Sequence, residues 1–465
     1  MGLDIEVTGS DKMEEEYDVI VIGAGFGGPV AAKKCADAGL KTLMIERAEV
    51  PGEKVISSCT IPIYGFLFGP SFIRNGNPPI ERPISSITSY FVKNGEIYDE
   101  LWVGIPKPLA PRVTLGYTVY CKSFCTWLAD KAVESGAELR TSTVAVDLIK
   151  EDGYIKGIVT DKGEKIRSKI LIDAEGTQNL LAINAGLRRR YSPEGIELCT
   201  LYDFAMPKEE IDKTDGHTIE YFWAMPEEKM IAPLGHGSAV YIFKYRDSLH
   251  LTIGQFLRSG EKVANTSRLL DEYYERFFNT RRWKEVYEPK AELKAKLWDT
   301  CPLYVGLFKE MRNMPTCGDG ILLIGDSAGL ESTAMGDGIP AAWFSAEYAA
   351  NVAIKAIKSG NTSAAFLKEY DDKLKADPLI QRLISSTQRY DLRKAVEGRD
   401  EAKLKKLVRD GWGFNYFIPL LVPLLGAVLN SIIKDPLIAV KWVQMWVRYY
   451  RNWQHESYDK LSTNH

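Results

Sequence analysis

Seven cysteines are spread along the chain without a single CxxC pair, and their spacing suits neither a zinc centre nor an iron–sulfur cluster. No charge of one sign predominates, and a formal net charge of −3 leaves no electrostatic footprint for nucleic acid. There is no internal repeat and no low-complexity tract. No secretory signal opens the sequence, and Met1-Gly2 lacks the downstream Ser/Thr of a myristoylation site. Together with the unpaired cysteine pattern, this reads as a reducing, cytoplasmic setting. The five histidines form no ligand pattern; His236, between Gly235 and Gly237, reads either as a pocket-lining residue or as a loop-surface one. What remains is an ordinary globular composition, 45% hydrophobic and 26% charged, with enough chain at 465 residues for two or three domains.

Two glycine-rich turns stand out, about three hundred residues apart. The apolar run Tyr17–Ile22 leads into Gly23-Ala24-Gly25-Phe26-Gly27-Gly28, which reads as strand, tight turn and helix start. Gly23 permits the turn, Gly25 lets backbone approach a pyrophosphate, and Gly28 allows close helix–strand packing. The helix N-terminus then offers free N–H donors and a positive dipole end to the anion. The next apolar strand, Thr42–Ile45, ends in Glu46-Arg47, and Glu46 falls eighteen residues after Gly28, where a carboxylate can accept from ribose hydroxyls. A single fold of this kind serves NAD or FAD equally well. The second turn, Ile321–Ile324 followed by Gly325-Asp326-Ser327-Ala328-Gly329, favours FAD, because the flavin end needs its own support. Asp326 is placed for the ribityl chain, and Met335-Gly336-Asp337-Gly338-Ile339 for the flavin ring.

Between the turns the pattern changes several times. A helix is expected over Gly27–Ala38 with Gly39 as its stop, and another over Lys122–Ser135. Residues 51–112, rich in Pro, Gly and aromatics, show little periodicity and read as loops wrapped around a ligand. Strands are expected at Glu138–Thr141, Ala145–Lys150 and Ile155–Thr160, with an Asp152-Gly153 hairpin turn, and again at Lys169–Asp173. From about 196 to 300, alternating strands (Thr218–Trp223, Ala239–Tyr245, Leu249–Gln255) precede a charged helical stretch. The fold class is therefore α/β: an FAD-binding doubly wound fold with an inserted antiparallel β-sheet substrate domain and a C-terminal helical region. Residues 17–75, 110–190 and 305–365 are assigned to the FAD-binding domain, 76–109 and 191–304 to the cap, and 366–465 to the helical region.

Over residues 17 to about 375 the chain resembles the flavoproteins of the FixC and electron-transfer-flavoprotein:quinone oxidoreductase group, whose superfamily also contains the geranylgeranyl reductases. The resemblance rests on Pro51-Gly52-Glu53-Lys54, Pro79-Ile80-Glu81-Arg82-Pro83-Ile84, Gly116-Tyr117-Thr118-Val119, Trp127-Leu128-Ala129, Ala174-Glu175-Gly176, Gly186-Leu187-Arg188, Tyr245-Arg246-Asp247-Ser248-Leu249 and the Gly325–Gly329 turn. It implies an FAD enzyme exchanging electrons with a lipid-soluble molecule. By position, it places Gly27 and Glu46 at the adenosine half, Ser57, Ser58 and Thr60 near the flavin, Lys122 near the pyrophosphate and Ala145 near the adenine. Asp326, Gly338 and Ile339 would complete the site. Lys122 stands where the group has arginine and offers a point charge without a bidentate fork. Ser58-Cys59 replaces a glycine pair. The four-cysteine ferredoxin-like tail of the larger quinone oxidoreductases is missing, so the resemblance implies electron-transfer flavoprotein and a separate ferredoxin-like protein as partners. Cys59 reads either as the flavin-side cysteine of the prenyl reductases or as a buried, inert thiol. No side chain is assigned a catalytic role, since flavin carries the chemistry.

Residues 412–433 run for twenty-two positions without a charge, long enough to span a bilayer. Pro419 and Pro423 argue against one straight helix. Trp442, Trp446, Tyr449, Tyr450 and Trp453 then recur at near-helical spacing, as suits a headgroup region, and Arg399, Lys403, Lys405, Lys406 and Arg409 precede them. A buried helical cap, monotopic attachment at the inner face of the cell membrane and a spanning helix are the three readings, and a lipid-soluble substrate favours attachment. The first functional expectation is electron passage from an electron-transfer flavoprotein to a membrane quinone. The second is a prenyl-lipid reductase that saturates isoprenoid double bonds, and the third a non-redox subunit that keeps FAD as structure.

Overall fold

The computed structural model of the chain describes residues 15–53, 58–93, 95–105, 114–190, 197–224, 239–256, 263–301, 314–330, 338–377, 380 and 400–409. The strand Glu15–Ile22 lies inside a parallel sheet, between Thr42–Ile45 and Lys165–Asp173. Glu138–Arg140 and Ile321–Leu323 extend that sheet on either side. Val19, Ile20 and Val21 are fully buried, as expected where crossover connections cover both faces of parallel strands. Helix Gly28–Asp37 packs against helices Cys121–Glu134 and Ile339–Ser359. The alanines of the last of these, among them Ala346, Ala349 and Ala353, are fully buried and permit the close approach. An antiparallel pair, Ala145–Glu151 and Tyr154–Thr160, branches from Lys165–Asp173. Asp152 and Gly153 turn between them with φ of 49° and 84°, the signs a type I′ hairpin requires.

A second sheet has seven strands in the order Glu292–Cys301, Glu197–Ala205, Ser248–Phe256, Ala239–Lys244, Thr218–Ala224, Ser86–Lys93, Glu96–Gly104. It is antiparallel except where Thr218–Ala224 runs parallel to Ser86–Val92. Its core is aromatic, with Tyr202, Phe204 and Phe222 facing Tyr274, Phe277 and Trp283. Helix Val263–Phe278 packs on it. A small third sheet joins Ser58–Pro62 and Arg82–Ile84 to opposite edges of Gly116–Tyr120. Arg82, only 2% exposed, fixes the junction between the sheets: it donates to the Tyr245 and Arg246 carbonyls and to Asp212, the last at 2.6 Å.

Two sequence expectations are corrected. Residues 51–112 do not form ligand-wrapping loops throughout; they supply strands 58–62, 82–84, 86–93 and 96–104 and two short helices. Ser86–Phe91 is buried along its whole length, with Leu404 and Val408 of helix Glu401–Arg409 in the same core, so no polar alternation survives to mark the strand. The charged stretch before residue 300 is helical over Val263–Phe278 and again in the short turn Trp283–Tyr287, but Glu292–Cys301 is a strand at the sheet edge. There Glu292, Lys294 and Lys296 alternate with Leu293, Ala295 and Leu297, a period of two that their charge disguised. Glu197–Ala205, paired on both sides, was not anticipated.

Helix Glu401–Arg409 is held by Lys405, which pairs with Asp99 at 2.8 Å and lies over the rings of Phe91 and Tyr98. Lys405 therefore anchors this helix to the second sheet. No helix among the described residues is long and apolar enough to cross a membrane. The apolar and Trp-rich segments from 412 onward lie outside the described residues, as do Arg399, His236, Ser57 and Met335–Asp337.

Candidate functional site

The two turns meet at one end of the parallel sheet. Asp173 ends the strand between them: it is opposite Ile22 on one side and Leu323 on the other. Gly23 leaves its strand at φ 99°, its N–H donates to the Ile45 carbonyl at 2.7 Å, and a Cβ there would lie 2.4 Å from the Ala174 oxygen. Gly28 is tighter still, with its missing Cβ 1.8 Å from the Gly23 oxygen. Gly27 bridges the turns, because a Cβ there would be 3.3 Å from Ile324 and 3.4 Å from the Ala342 oxygen. Gly325, at φ 57°, faces the same Ala342, and its N–H donates to the Ser345 hydroxyl at 3.1 Å.

Gly25 is different. Among the described residues no atom lies within 4 Å of the position its Cβ would take, and its φ is not in the left-handed region. Neither packing against the described residues nor backbone conformation asks for glycine here. It lies just ahead of helix Gly28–Asp37, whose N-cap Gly27 gives no side-chain cap and whose first turn holds no acid. An open backbone beside uncapped helical N–H groups fits an approaching pyrophosphate, and on that ground the residues present fit a dinucleotide.

Glu46 adds the second part of the cradle. Its carboxylate is buried and accepts from the backbone N–H of Ala24 at 2.7 Å and of Ala48 at 2.9 Å. It thereby ties the glycine turn to the end of its own strand. Residues 142 and 143 run beside it, with Thr143 N–H donating to the Glu46 carbonyl at 3.0 Å, so that Ala145, buried at the start of its strand, belongs to this same corner. Arg47 is exposed and close enough to act electrostatically on Glu175. Lys122 is exposed too, and its ammonium pairs with Glu53 at 3.1 Å. Asp326 is half-buried in the short helical turn Gly325–Ala328. Gly338 precedes helix Ile339–Ser359, and its carbonyl accepts from Ala342 N–H at 2.8 Å. Ser58 and Thr60 lie on Ser58–Pro62, and the short helix after that strand, Ile63–Phe68, brings Gly65 against Pro340 and Trp343. The structure thus brings Gly23, Gly27, Gly28, Glu46, Ala145 and Gly325 into one corner. It sets Gly338, Ile339 and Thr60 along a neighbouring edge.

Sequence reasoning gave Asp173 no role. One oxygen of this buried carboxyl accepts from the Ser327 hydroxyl at 3.1 Å and from Glu175 N–H at 2.9 Å, linking the second turn to the turn that follows its own strand. Its other oxygen has no hydrogen-bond partner among the described residues. Burial pushes the Asp173 carboxyl upward, and burial together with the neighbouring Asp173 pushes Glu175 upward as well. The available signal was a single acid closing the otherwise apolar run Ile170-Leu171-Ile172. A second missed cluster sits beside Cys59: Tyr245 accepts from Cys59 N–H at 3.0 Å and stacks on Tyr120, with ring centroids 4.5 Å apart.

A profile of the FAD-dependent oxidoreductases matches residues 18–295, and the chain belongs to that family. It is 29% identical over 375 residues to the digeranylgeranylglycerophospholipid reductase of Methanocaldococcus jannaschii, covering 78% of this chain and 83% of the relative. It is 27% identical over 430 residues to digeranylgeranylglycerophospholipid reductase 2 of Methanothermobacter thermautotrophicus, covering 91% and 96%. Among solved structures, a geranylgeranyl bacteriochlorophyll reductase-like protein from Thermoplasma acidophilum superposes with a TM-score of 0.62 at 21% identity, over 86% of this chain and 97% of that one. That likeness concerns the fold. The protein is an FAD-dependent oxidoreductase with a mixed α/β FAD-binding fold, and the curated relatives side with the prenyl-reductase expectation over the quinone one.

Proposed function

We propose that the protein reduces carbon–carbon double bonds in the isoprenoid chains of a membrane lipid of the geranylgeranyl type. The reading rests on one observation: likeness to a digeranylgeranylglycerophospholipid reductase runs through 91% of this chain and 96% of that relative. When bound, FAD supplies the reducing equivalents as hydride. The chain's own part is to hold and shelter. The Gly23–Gly28 turn and Glu46 would hold the adenosine and pyrophosphate half, and Gly325, Asp326, Gly338 and Ile339 the ribityl and ring half.

The edge running from Thr60 to Ile339 suits an isoprenoid. Cys59, Ile63 and Ile339 are half-exposed apolar side chains against the buried core, and a flexible hydrocarbon gains about 25 cal/mol for each Å² it removes from water. The electron donor in this reading is a separate redox protein of ferredoxin or electron-transfer-flavoprotein type, since the sequence offers no cluster-binding cysteine spacing. The lipid would be met at the membrane surface.

The test is incubation of the FAD-loaded protein with a chemical reductant and an unsaturated geranylgeranyl ether phospholipid. Mass spectrometry of the lipid should show a stepwise gain of hydrogen pairs. An unchanged lipid, with a quinone analogue reduced under the same conditions, would overturn the reading.

A further inference from the structure

Beyond the lipid chemistry, the structure carries a close pair of thiols. We propose that Cys59 and Cys121 form a reversible disulfide by exchange with a low-molecular-weight disulfide. Cys59 lies on Ser58–Pro62, opposite Val119 on Gly116–Tyr120, and Cys121 follows directly as the first residue of helix Cys121–Glu134. The change from strand to helix brings the Cys121 sulfur to 3.5 Å from that of Cys59. A disulfide bond is about 2 Å long, so closure requires roughly 1.5 Å of approach, within reach of side-chain torsions. Closure breaks the hydrogen bond from the Cys59 S–H to the Val119 carbonyl at 3.2 Å.

The two thiols differ in access, and that sets their order of use. Cys59 is half-buried, whereas Cys121 is 5% exposed. A small disulfide therefore meets Cys59 first. The Cys59 thiolate attacks one sulfur of the reagent, the reagent's S–S bond breaks, and one thiol leaves with a proton. The Cys121 thiolate next attacks the Cys59 sulfur, the mixed disulfide breaks, and the second thiol leaves with the second proton. Both electrons lost by the cysteine pair reside on the two released thiols. Two other thiols differ in reactivity. Cys35 is buried and pushed up to about 12 by that burial, and Cys317 is pushed up to about 11 by burial and by Asp371, so both stay protonated and unreactive.

Closure would couple the strand beside the Ile339 edge to the helix that begins with Cys121 and Lys122. Around it the backbone is already constrained. Tyr245 receives the Cys59 N–H, and Gly52 packs so closely on Cys121 that a Cβ there would lie 2.4 Å from the Cys121 oxygen.

The experiment treats the full-length, FAD-loaded protein with oxidised glutathione under anaerobic conditions, alkylates the remaining thiols and digests with trypsin. Peptides 55–74 and 113–122 each contain one cysteine, Cys59 and Cys121 respectively. They should appear linked, lighter by two hydrogens than the separate peptides, with two glutathiones released per chain and full reversal by dithiothreitol. Cys121→Ser should stop at glutathione bound to Cys59, with one equivalent released. A native protein that stops at that same stage would overturn the proposal. So would linkage of 55–74 to 123–131, which carries Cys125, or continued alkylation of both residues after oxidation.

Discussion

Gly25 and Gly28 share one turn, yet the structure gives their lack of a side chain different causes, and the two substitutions should separate them. In Gly28→Ala the new methyl would sit 1.8 Å from the Gly23 oxygen and 3.0 Å from its carbonyl carbon. Both are backbone atoms, so only a shift of the helix or turn by roughly 1.5 Å relieves the contact. Overpacking costs about 1–3 kcal/mol where side chains can yield; with backbone on both sides we expect about 3 kcal/mol or more, roughly 3 °C or more in melting temperature for a chain of this length. In Gly25→Ala the methyl meets no atom of the described residues within 4 Å, and apoprotein stability should stay within about 0.5 kcal/mol of the parent. Its effect should fall on the ligand, because the methyl would occupy the line along which a pyrophosphate approaches the backbone. A tenfold or greater loss of FAD affinity, about 1.4 kcal/mol, is expected. Melting of the apoproteins and titration with FAD, followed by quenching of flavin fluorescence, measure both. If the Gly25→Ala apoprotein melts as early as Gly28→Ala, or binds FAD like the parent, the assignment of this turn is wrong.

Lys244, Glu220 and Arg282 form a buried charge cluster in the second sheet, with Lys244 to Glu220 at 2.9 Å and Arg282 to Glu220 at 2.7 Å. Lys244→Met should cost about 3–5 kcal/mol in urea unfolding, and Lys244→Met with Glu220→Gln less than either change alone would suggest. Burial alone would raise the Glu220 carboxyl, but Lys244 and Arg282 hold it down at about 2. Its contribution is therefore complete above the ordinary carboxylate range and lost as pH falls toward 2, and Glu220→Gln should flatten that acid limb. Asp173 is shifted the other way: its carboxyl is raised by burial. The fold then favours its protonated form, so stability should decline as pH rises above the ordinary carboxylate range. In Asp173→Asn that slope should be shallower, and an unchanged slope in pH-dependent melting would remove Asp173 as its source.

The opening strand, turn and helix were legible because each follows local rules. The apolar run Tyr17–Ile22, the glycines at 23, 25 and 28 and the stop at Gly39 need no distant partner. The second turn was legible for the same reason. The strands between residues 82 and 104 were not, since Ser86–Phe91 is buried throughout and its parallel partner lies beyond residue 217. Glu292–Cys301 was hidden by charges that suit a surface helix as well as an edge strand. At the site, Gly23, Gly28 and Glu46 lie where spacing put them, but the contact of Gly27 with Ile324 and Ala342 depends on chain crossings that no local pattern records. Lys122 pairs with Glu53, an interaction set by the turn at Gly52 packing on Cys121. Asp173 escaped notice because an acid ending an apolar strand usually marks solvent, whereas here the two turns close over it.

A single-turnover experiment tests the central claim most directly. The protein carrying fully reduced FAD is mixed without oxygen with an unsaturated geranylgeranyl phospholipid, and visible absorbance and lipid mass are followed together. The account predicts that the yellow colour returns as the lipid gains one pair of hydrogens per flavin. A flavin that stays bleached with the lipid but regains colour with a quinone analogue would contradict it.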